Sequence, residues 1–364
     1  AAGWRAVAAK PAGSPGLDAM FFLVFNANKR SVSIDLKNPD GKALFLRMVE
    51  HADVVVENFA PGLMEKLGLD YERLRAVNPR IIMARIKGFG LSGPYHEYKS
   101  FDMIAQAMGG VMSVTGFVDR EPIRCGAAIG DTGTGVHTAG AIMAAYIQRQ
   151  RTGQGQLVEV SMQEVIANFL RGRYVDHYRD NKPSERRGNA LSGGVPGGAY
   201  PCAPGGLNDY VYIYAQPINP EMWRQFAIAI GREDLLTDPR CKDAKTRWEH
   251  REELNAIFRA WTGARTKHEV LAVLGKAGVP CGAVLDTGEV LDDPHLNARG
   301  QITTIDHPTR GRFRLPGCPV RLSDSPAVTT APPLAGQHTS EVLGEVLGLS
   351  KDDVANLQSR GVVA

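Results

Sequence analysis

The chain has 364 residues, 43% hydrophobic and 22% charged, enough apolar material for a sizeable core and for two lobes rather than one. A formal charge of +3 with no run of Lys and Arg argues against a nucleic-acid partner, and no apolar run approaches the roughly 18 residues of a membrane span. Five scattered cysteines (Cys125, Cys202, Cys241, Cys281, Cys318) form no CxxC pair, which argues against a disulfide framework and against a zinc site. With no basic-then-apolar leader, the expected location is cytoplasmic.

The first 16 residues are rich in Gly, Ala and Pro and read as a loop. The chain opens on Ala1 rather than Met, so a segment upstream is expected. Phe21-Phe-Leu-Val-Phe25 is a short apolar piece, and Ser31-Val-Ser-Ile-Asp35 alternates like a strand. Asn38-Pro-Asp-Gly starts a helix whose apolar face carries Leu44, Phe45, Met48 and Val49. Val54-Val-Val-Glu57 reads as a buried strand left by the turn Asn58-Phe-Ala-Pro-Gly62. A helical piece with Leu63, Leu67 and Leu74 follows, then the strand Ile81-Ile-Met-Ala-Arg-Ile86. Strand and helix alternate at βαβ spacing, so the first half is expected to be an α/β, Rossmann-like, mostly parallel sheet with helices on both faces.

Gly88-Phe-Gly90-Leu-Ser-Gly93 matches GxGxxG after that strand. A dinucleotide site requires the third glycine to open a helix, yet Pro94-Tyr-His-Glu-Tyr98 follows, so the match reads as a decoy for an NAD-dependent dehydrogenase. Ser92 is no nucleophile elbow, because Pro94 stands where GxSxG needs glycine.

Cys125-Gly-Ala-Ala-Ile-Gly-Asp131-Thr-Gly-Thr-Gly-Val-His137 places one acid among small and apolar residues at the mouth of a long apolar helix running to about Gln150. Two readings stand. An Asp before a helix is commonly an N-cap, satisfying first-turn N–H groups. An acid with apolar surroundings on one side and glycine backbone on the other also suits covalent work on a bulky ligand. The helix is apolar on most sides and is expected to be central. Strand Leu157-Val-Glu-Val-Ser161 and a helix from Met162 to about Tyr178 complete a further α/β repeat.

A polar linker, residues 179–187, marks a boundary. Residues 1–187 form the expected large domain and 188–284 a small α+β domain: a glycine-rich loop to Gly198, a strand at Tyr210-Val-Tyr-Ile-Tyr214, and helices near residues 221–230, 251–261 and 267–277. Residues 285–364 are turn-rich, end in an amphipathic helix from Ser340 to Leu347, and are expected to return to the large domain.

Several of these motifs resemble the class III CoA-transferases, the formyl-CoA transferase and carnitine CoA-transferase group (CaiB/BaiF). They are Asn26-Ala-Asn-Lys-Arg-Ser31, Asp53-Val-Val-Val-Glu-Asn-Phe-Ala-Pro-Gly62, Leu67-Gly-Leu69, Asn78-Pro-Arg80, Lys87-Gly-Phe-Gly90 with Gly93-Pro94, Met108-Gly-Gly110, Thr115-Gly116, Gly130-Asp131 and Leu334-Ala-Gly-Gln-His338. The resemblance runs from about residue 20 to the C-terminus. It implies that Asp131 attacks an acyl-CoA thioester to give a mixed anhydride, that the CoA thiolate returns to form an aspartyl-CoA thioester, and that an acceptor carboxylate then takes the CoA. It implies CoA contacts at Ile34, Asp35, Leu36, Lys37, Asn58, Phe59, Ala60, Lys66, Tyr98, Lys99, Ser100, Phe101 and Asp102, with the three lysines facing phosphates. Gly193 and Gly194 resemble a loop that closes over the intermediate, although Val195-Pro196 stands where the family pattern has further glycines and a Gln. CoA enters as substrate, small carboxylic acids are the partners, and no permanent cofactor or metal is implied. The assembly implied is an interlocked homodimer.

Two departures bear on this reading. Related α-methylacyl-CoA racemases place a histidine before the Asp102 motif as one of two proton bases, and Phe101 stands there, which favours transfer over racemisation. The family also begins with a strand and turn that supply part of the CoA site, and some ~40 residues of that front are expected to be absent by comparison with ordinary domain length. A non-catalytic CoA-binding scaffold is therefore the other alternative.

Overall fold

The structure, a computed structural model, describes residues 4–7, 20–191 and 193–364. Its strands are β1 (Trp4–Val7), β2 (Arg30–Ser33), β3 (Val54–Glu57), β4 (Ile82–Lys87), β5 (Leu157–Ser161), β6 (Gly197–Pro201), β7 (Tyr210–Tyr214), β8 (Cys281–Ala283), β9 (Ile302–His307) and β10 (Gly311–Pro316). The chain divides into two units: one of Ala1–Val114, Pro122–Ser184 and Arg299–Ala364, the other of Thr115–Glu121 and Glu185–Ala298.

In the first unit β3, β4 and β5 form a parallel sheet in that order. The run Ile81-Ile-Met-Ala84 is buried throughout, as a strand covered on both faces requires. Its alternate side chains serve two cores. Ile81 and Met83 join Val49, Met64, Leu69 and Leu74 on one face, while Ile82 and Ala84 meet Ala145 and Val158 on the other. The helices Pro39–Glu50 and Tyr71–Val77 lie on the first face, capped by Asn38 and Asp70 side chains. The helix Ile129–Thr152 supplies Ala145 to the second.

A second parallel pair joins β1 to β2, with Trp4 opposite Arg30. Trp4–Val7 was expected to be loop, and it is strand because β2 offers it a parallel edge; the rest of that N-terminal expectation lies outside the described residues. Val32 and Ile34 pack with Val342, Leu343, Val354, Val362 and Val363, so the C-terminal segment covers β2 and the residue after it. The turn-rich stretch after residue 285 contains an antiparallel hairpin, β9 with β10. The helix expected from Met162 to about Tyr178 is broken into Met162–Phe169, one 3-10 turn Arg171–Arg173 and Tyr174–Asp180, with Gly172 at the break.

The long helix differs most from expectation. Thr134, Thr138, Ala145 and Arg149 face inward, but Val136, Met143 and Ile147 are 73%, 62% and 56% exposed. It is central on one side only in the single chain, because its outer apolar residues have no covering element among the described residues.

The second unit is an antiparallel sheet, β6-β7-β8, against the helices Pro220–Ala229, Arg251–Gly263 and Lys267–Lys276. Phe226 and Phe258 meet edge-on at 4.9 Å in its core, with Trp223 and Tyr200 beside them.

Candidate active site

Asp131 is not the cap of its helix. Helix Ile129–Thr152 starts after Ala128, which offers no side-chain cap, and Asp131 is the third helical residue. The capping acid comes from elsewhere: Asp102 Oδ1 accepts the Gly130 N–H at 2.8 Å. Asp102 Oδ2 accepts from Gln106 Nε2 at 2.8 Å, and Gln106 Oε1 in turn accepts the Cys125 N–H at 2.8 Å. Asp102 is 7% exposed and Gln106 fully buried, so this pair ties the incoming loop and the first turn together. Asp102, expected as a CoA contact, has both oxygens engaged inside the protein.

Asp131 is left facing outward, exposed in the single chain. Partial burial and then the neighbouring Asp102 charge raise its carboxyl above the ordinary aspartate range. A Cβ on Gly135, one turn further along, would meet nothing within 4 Å, so space lies open beside the acid. A Cβ on Gly133 would sit 2.7 Å from the Phe169 ring, which walls the other side of that turn.

The C-terminal end of β4 joins this acid to the other expected contacts. A Cβ on Gly88 would lie 2.2 Å from that of Ser100, so only glycine lets the stretch holding Tyr98, Lys99, Ser100 and Phe101 lie against the strand end. From there Asp102 reaches Gly130. In the other direction Lys87 Nζ donates to the Phe59 carbonyl at 2.7 Å, bringing up the turn with Asn58, Phe59 and Ala60. Asn58, Ala60, Lys66, Lys99, Tyr98 and Phe101 are exposed, while Phe59 and Ser100 are half-buried. Lys37 is exposed, on a turn where Asp35 accepts the Lys37 N–H, and Leu36 is half-buried. Ile34 is different: its side chain is in the core, under Val363, and is closed to a ligand.

The glycine-rich match after β4 runs into bends and turns, and the next helix begins only at Asp102, so no helix N-terminus is presented to a pyrophosphate. In the second unit Gly193 adopts φ +77°, and Gly194, Val195 and Pro196 are buried, so the loop lies packed on its own unit.

Sequence reasoning missed a group beneath Asn58. Glu57, Arg85 and Lys87 are buried, with Glu57 Oε1 2.7 Å from Arg85 Nε and Oε2 2.7 Å from Lys87 Nζ. The signal was available as three charges at the ends of two apolar strand runs, where solvated side chains are not expected.

Comparison with known proteins decides the family. The model of CoA-transferase family III matches residues 4–339. The chain belongs to CoA-transferase family III. This CoA-transferase is 41% identical to a formyl-CoA:oxalate CoA-transferase of Streptomyces avermitilis, covering 96% of the chain and 88% of that relative. The same identity holds for the Streptomyces coelicolor protein of that name, over 96% and 87%. Among solved structures, a CaiB/BaiF family protein from Brucella suis superposes with a TM-score of 0.80 at 33% identity, over 90% of this CoA-transferase and 84% of that chain. A Mycobacterium tuberculosis protein gives 0.76 at 27%, over 92% and 88%. The α/β fold is thus that of the CaiB/BaiF enzymes. Among the described residues of the CoA-transferase, no helix is long and apolar enough to cross a membrane.

Proposed function

We propose that this CoA-transferase moves CoA from formyl-CoA or a similarly small acyl-CoA to a small carboxylate such as oxalate, with Asp131 as the covalent catalyst. The carboxylate oxygen attacks the thioester carbonyl, the C–S bond breaks and CoA leaves as thiolate. The thiolate then attacks the aspartyl carbonyl of the mixed anhydride and releases the donor acid. Attack by the acceptor carboxylate on the aspartyl thioester frees the thiolate again. It closes the cycle by attacking the acceptor's acyl carbon, which restores Asp131. Each exchange replaces one acyl–oxygen or acyl–sulfur bond by another, so no outside oxidant or base is consumed.

The observation that carries this reading is that Asp131 points outward from a first turn fixed by Asp102, on the site built around the end of β4. Substrate identity rests on the two Streptomyces relatives' names. A racemase would need a second proton base at the position of Phe101, which has none. The test is Asp131→Asn and Asp131→Ala: both are expected to abolish exchange of label between formyl-CoA and oxalate while CoA still binds, and turnover retained in either would refute the assignment.

The mechanism needs a dry site, yet Asp131 and the apolar face bearing Val136, Met143 and Ile147 are open in the single chain. We take the occupant of that face to be a second copy of the chain, and the enzyme to act as a cytoplasmic homodimer. Sedimentation velocity tests the stoichiometry.

A further inference from the structure

We infer that Glu57, Arg85 and Lys87 are positioning residues for CoA, locking the Asn58–Ala60 turn and the Lys66 helix into one rigid cradle. The inference rests on the reading of Asn58, Phe59, Ala60 and Lys66 as CoA contacts. Its physical basis is an ion cluster in an unusual place. Charges this deep are retained only when each is paired and its remaining hydrogen-bonding capacity is used. Glu57 and Lys87 side chains are each 2% exposed and Arg85 is 6% exposed, and their hydrogen bonds run to one another, to Phe59 and to Glu65, toward the candidate contacts.

The turn is held at both polar atoms of a single residue. The Phe59 N–H donates to Glu57 Oε2 at 2.9 Å, and the Phe59 carbonyl accepts from Lys87 Nζ at 2.7 Å. With N–H and C=O both fixed, the peptide planes on either side of Phe59 cannot rotate freely, which sets how Asn58 and Ala60 are presented. The helix is held by a second arm. Arg85 donates through Nε to Glu57 Oε1 and through Nη1 to Glu65 Oε1, both at 2.7 Å. Glu65 lies on the short helix Leu63–Leu67, next to Lys66. That bond from Arg85 holds the Glu65 carboxyl below the usual carboxylate range, so the arm stays charged.

The arrangement is more specific than a fold staple needs to be. A staple between β3 and β4 requires one ion pair, and Glu57 with Arg85 would serve. The Lys87 side chain repeats the β3–β4 link through Glu57 Oε2 and, beyond it, clamps the turn that follows β3. Glu65 adds nothing to the sheet, but fixes the residue beside the lysine. The cluster therefore converts two adjacent strand ends into a mount for groups on separate elements.

The experiment is a binding and kinetic comparison on the full chain, using CoA for titration and formyl-CoA with oxalate for exchange. Lys87→Met and Arg85→Met are expected to raise Kd for CoA and KM for formyl-CoA at least tenfold while kcat at saturation stays within about twofold. Glu57→Gln keeps the shape and removes the central charge, so it should give the same KM-only loss and serves where a methionine variant does not fold. Lys66→Ala should cost much less in the Arg85→Met background than in wild type, because the lysine is already misplaced there. Unchanged CoA affinity in variants that unfold at lower temperature would overturn the inference, as would strict additivity of Arg85→Met with Lys66→Ala. A wild-type chain that fails to bind CoA in the same titration would instead overturn the reading of the contacts beneath it.

Discussion

Replacing Asp102 by alanine isolates what the buried acid does for the helix turn that carries Asp131. The substitution removes two charge-assisted hydrogen bonds of 2.8 Å each, from Gly130 N–H and Gln106 Nε2. Such bonds contribute roughly 1.5–3 kcal/mol apiece, and the buried Gly130 N–H is left with no acceptor. Gln106 retains long contacts of 3.4 Å to the Cys125 and Ala127 carbonyls, so its loss is partial. Relief of repulsion with Asp131 offsets a little more. The expected net destabilisation is about 2–4 kcal/mol, at and above the top of the roughly 0.5–2 kcal/mol of an N-cap deletion, because a second charge-assisted bond is lost with it. Asp102→Asn keeps an acceptor for Gly130 but sets its amide against the Gln106 amide, whose orientation is fixed by Cys125 N–H, and should cost about 1–2 kcal/mol. Equilibrium urea unfolding followed by circular dichroism measures both. If Asp102→Ala falls within about 0.5 kcal/mol of wild type, as a surface change would, the first turn does not depend on this clamp and the argument fails.

Three further outcomes follow from the same geometry. The Asp131 carboxyl is raised, so the folded state favours its protonated form; that stabilisation is complete below the unfolded value and is lost as pH rises through the folded one. Asp131→Asn should therefore melt at or above the wild-type temperature near pH 7, with the difference closing in acid; a lower melting temperature at pH 7 would contradict it. Exchange should lose its acid limb at a higher pH than an ordinary aspartate would give, and Asp102→Asn should move that limb down; a pH–rate profile reads both. Gly41→Ala would place a Cβ 2.0 Å from the Asp35 carbonyl, so it should destabilise by about 1–3 kcal/mol and raise KM for acyl-CoA through the turn holding Lys37.

The sheet was legible because β3, β4 and β5 are short apolar runs at βαβ spacing, and burial on two faces demands that pattern. The hairpin of β9 and β10 was not, because Ile302-Thr-Thr-Ile-Asp-His and Gly-Arg-Phe-Arg-Leu-Pro316 bury only Ile305, His307 and Leu315, too few to rise above a turn-rich background. Strand β6 was hidden by its glycines, which lend no side chain to an alternation. At the candidate site, Asp131 could be singled out because glycine on both sides of an acid is a local signal. Its cap could not, since Asp102 and Gly130 are 28 residues apart and meet only after the chain has folded. Glu57, Arg85 and Lys87 failed for the same reason: a charge at the end of a strand looks solvated until the strand beside it supplies the partner.

Shielding of the acid ties the covalent chemistry to the assembly. On the mechanism proposed above, an anhydride on Asp131 of the single chain would meet water, so transfer over hydrolysis would require a cover, and the exposed apolar face running on from the acid is where we propose that cover seats. Burying Val136 and Met143 contributes on the order of 1.5–3 kcal/mol each, and a carboxylate forced into the same place costs several more. Val136→Glu with Met143→Glu should thus weaken association by at least about 4 kcal/mol, roughly a thousandfold in the dissociation constant. Sedimentation velocity should find the variant monomeric at concentrations where wild type is dimeric. Formate release from formyl-CoA without oxalate should rise relative to transfer, because the anhydride is still formed but is no longer sheltered. A monomeric variant that transfers CoA as efficiently as wild type would show that the single chain excludes water by itself, and the second copy would lose its catalytic role.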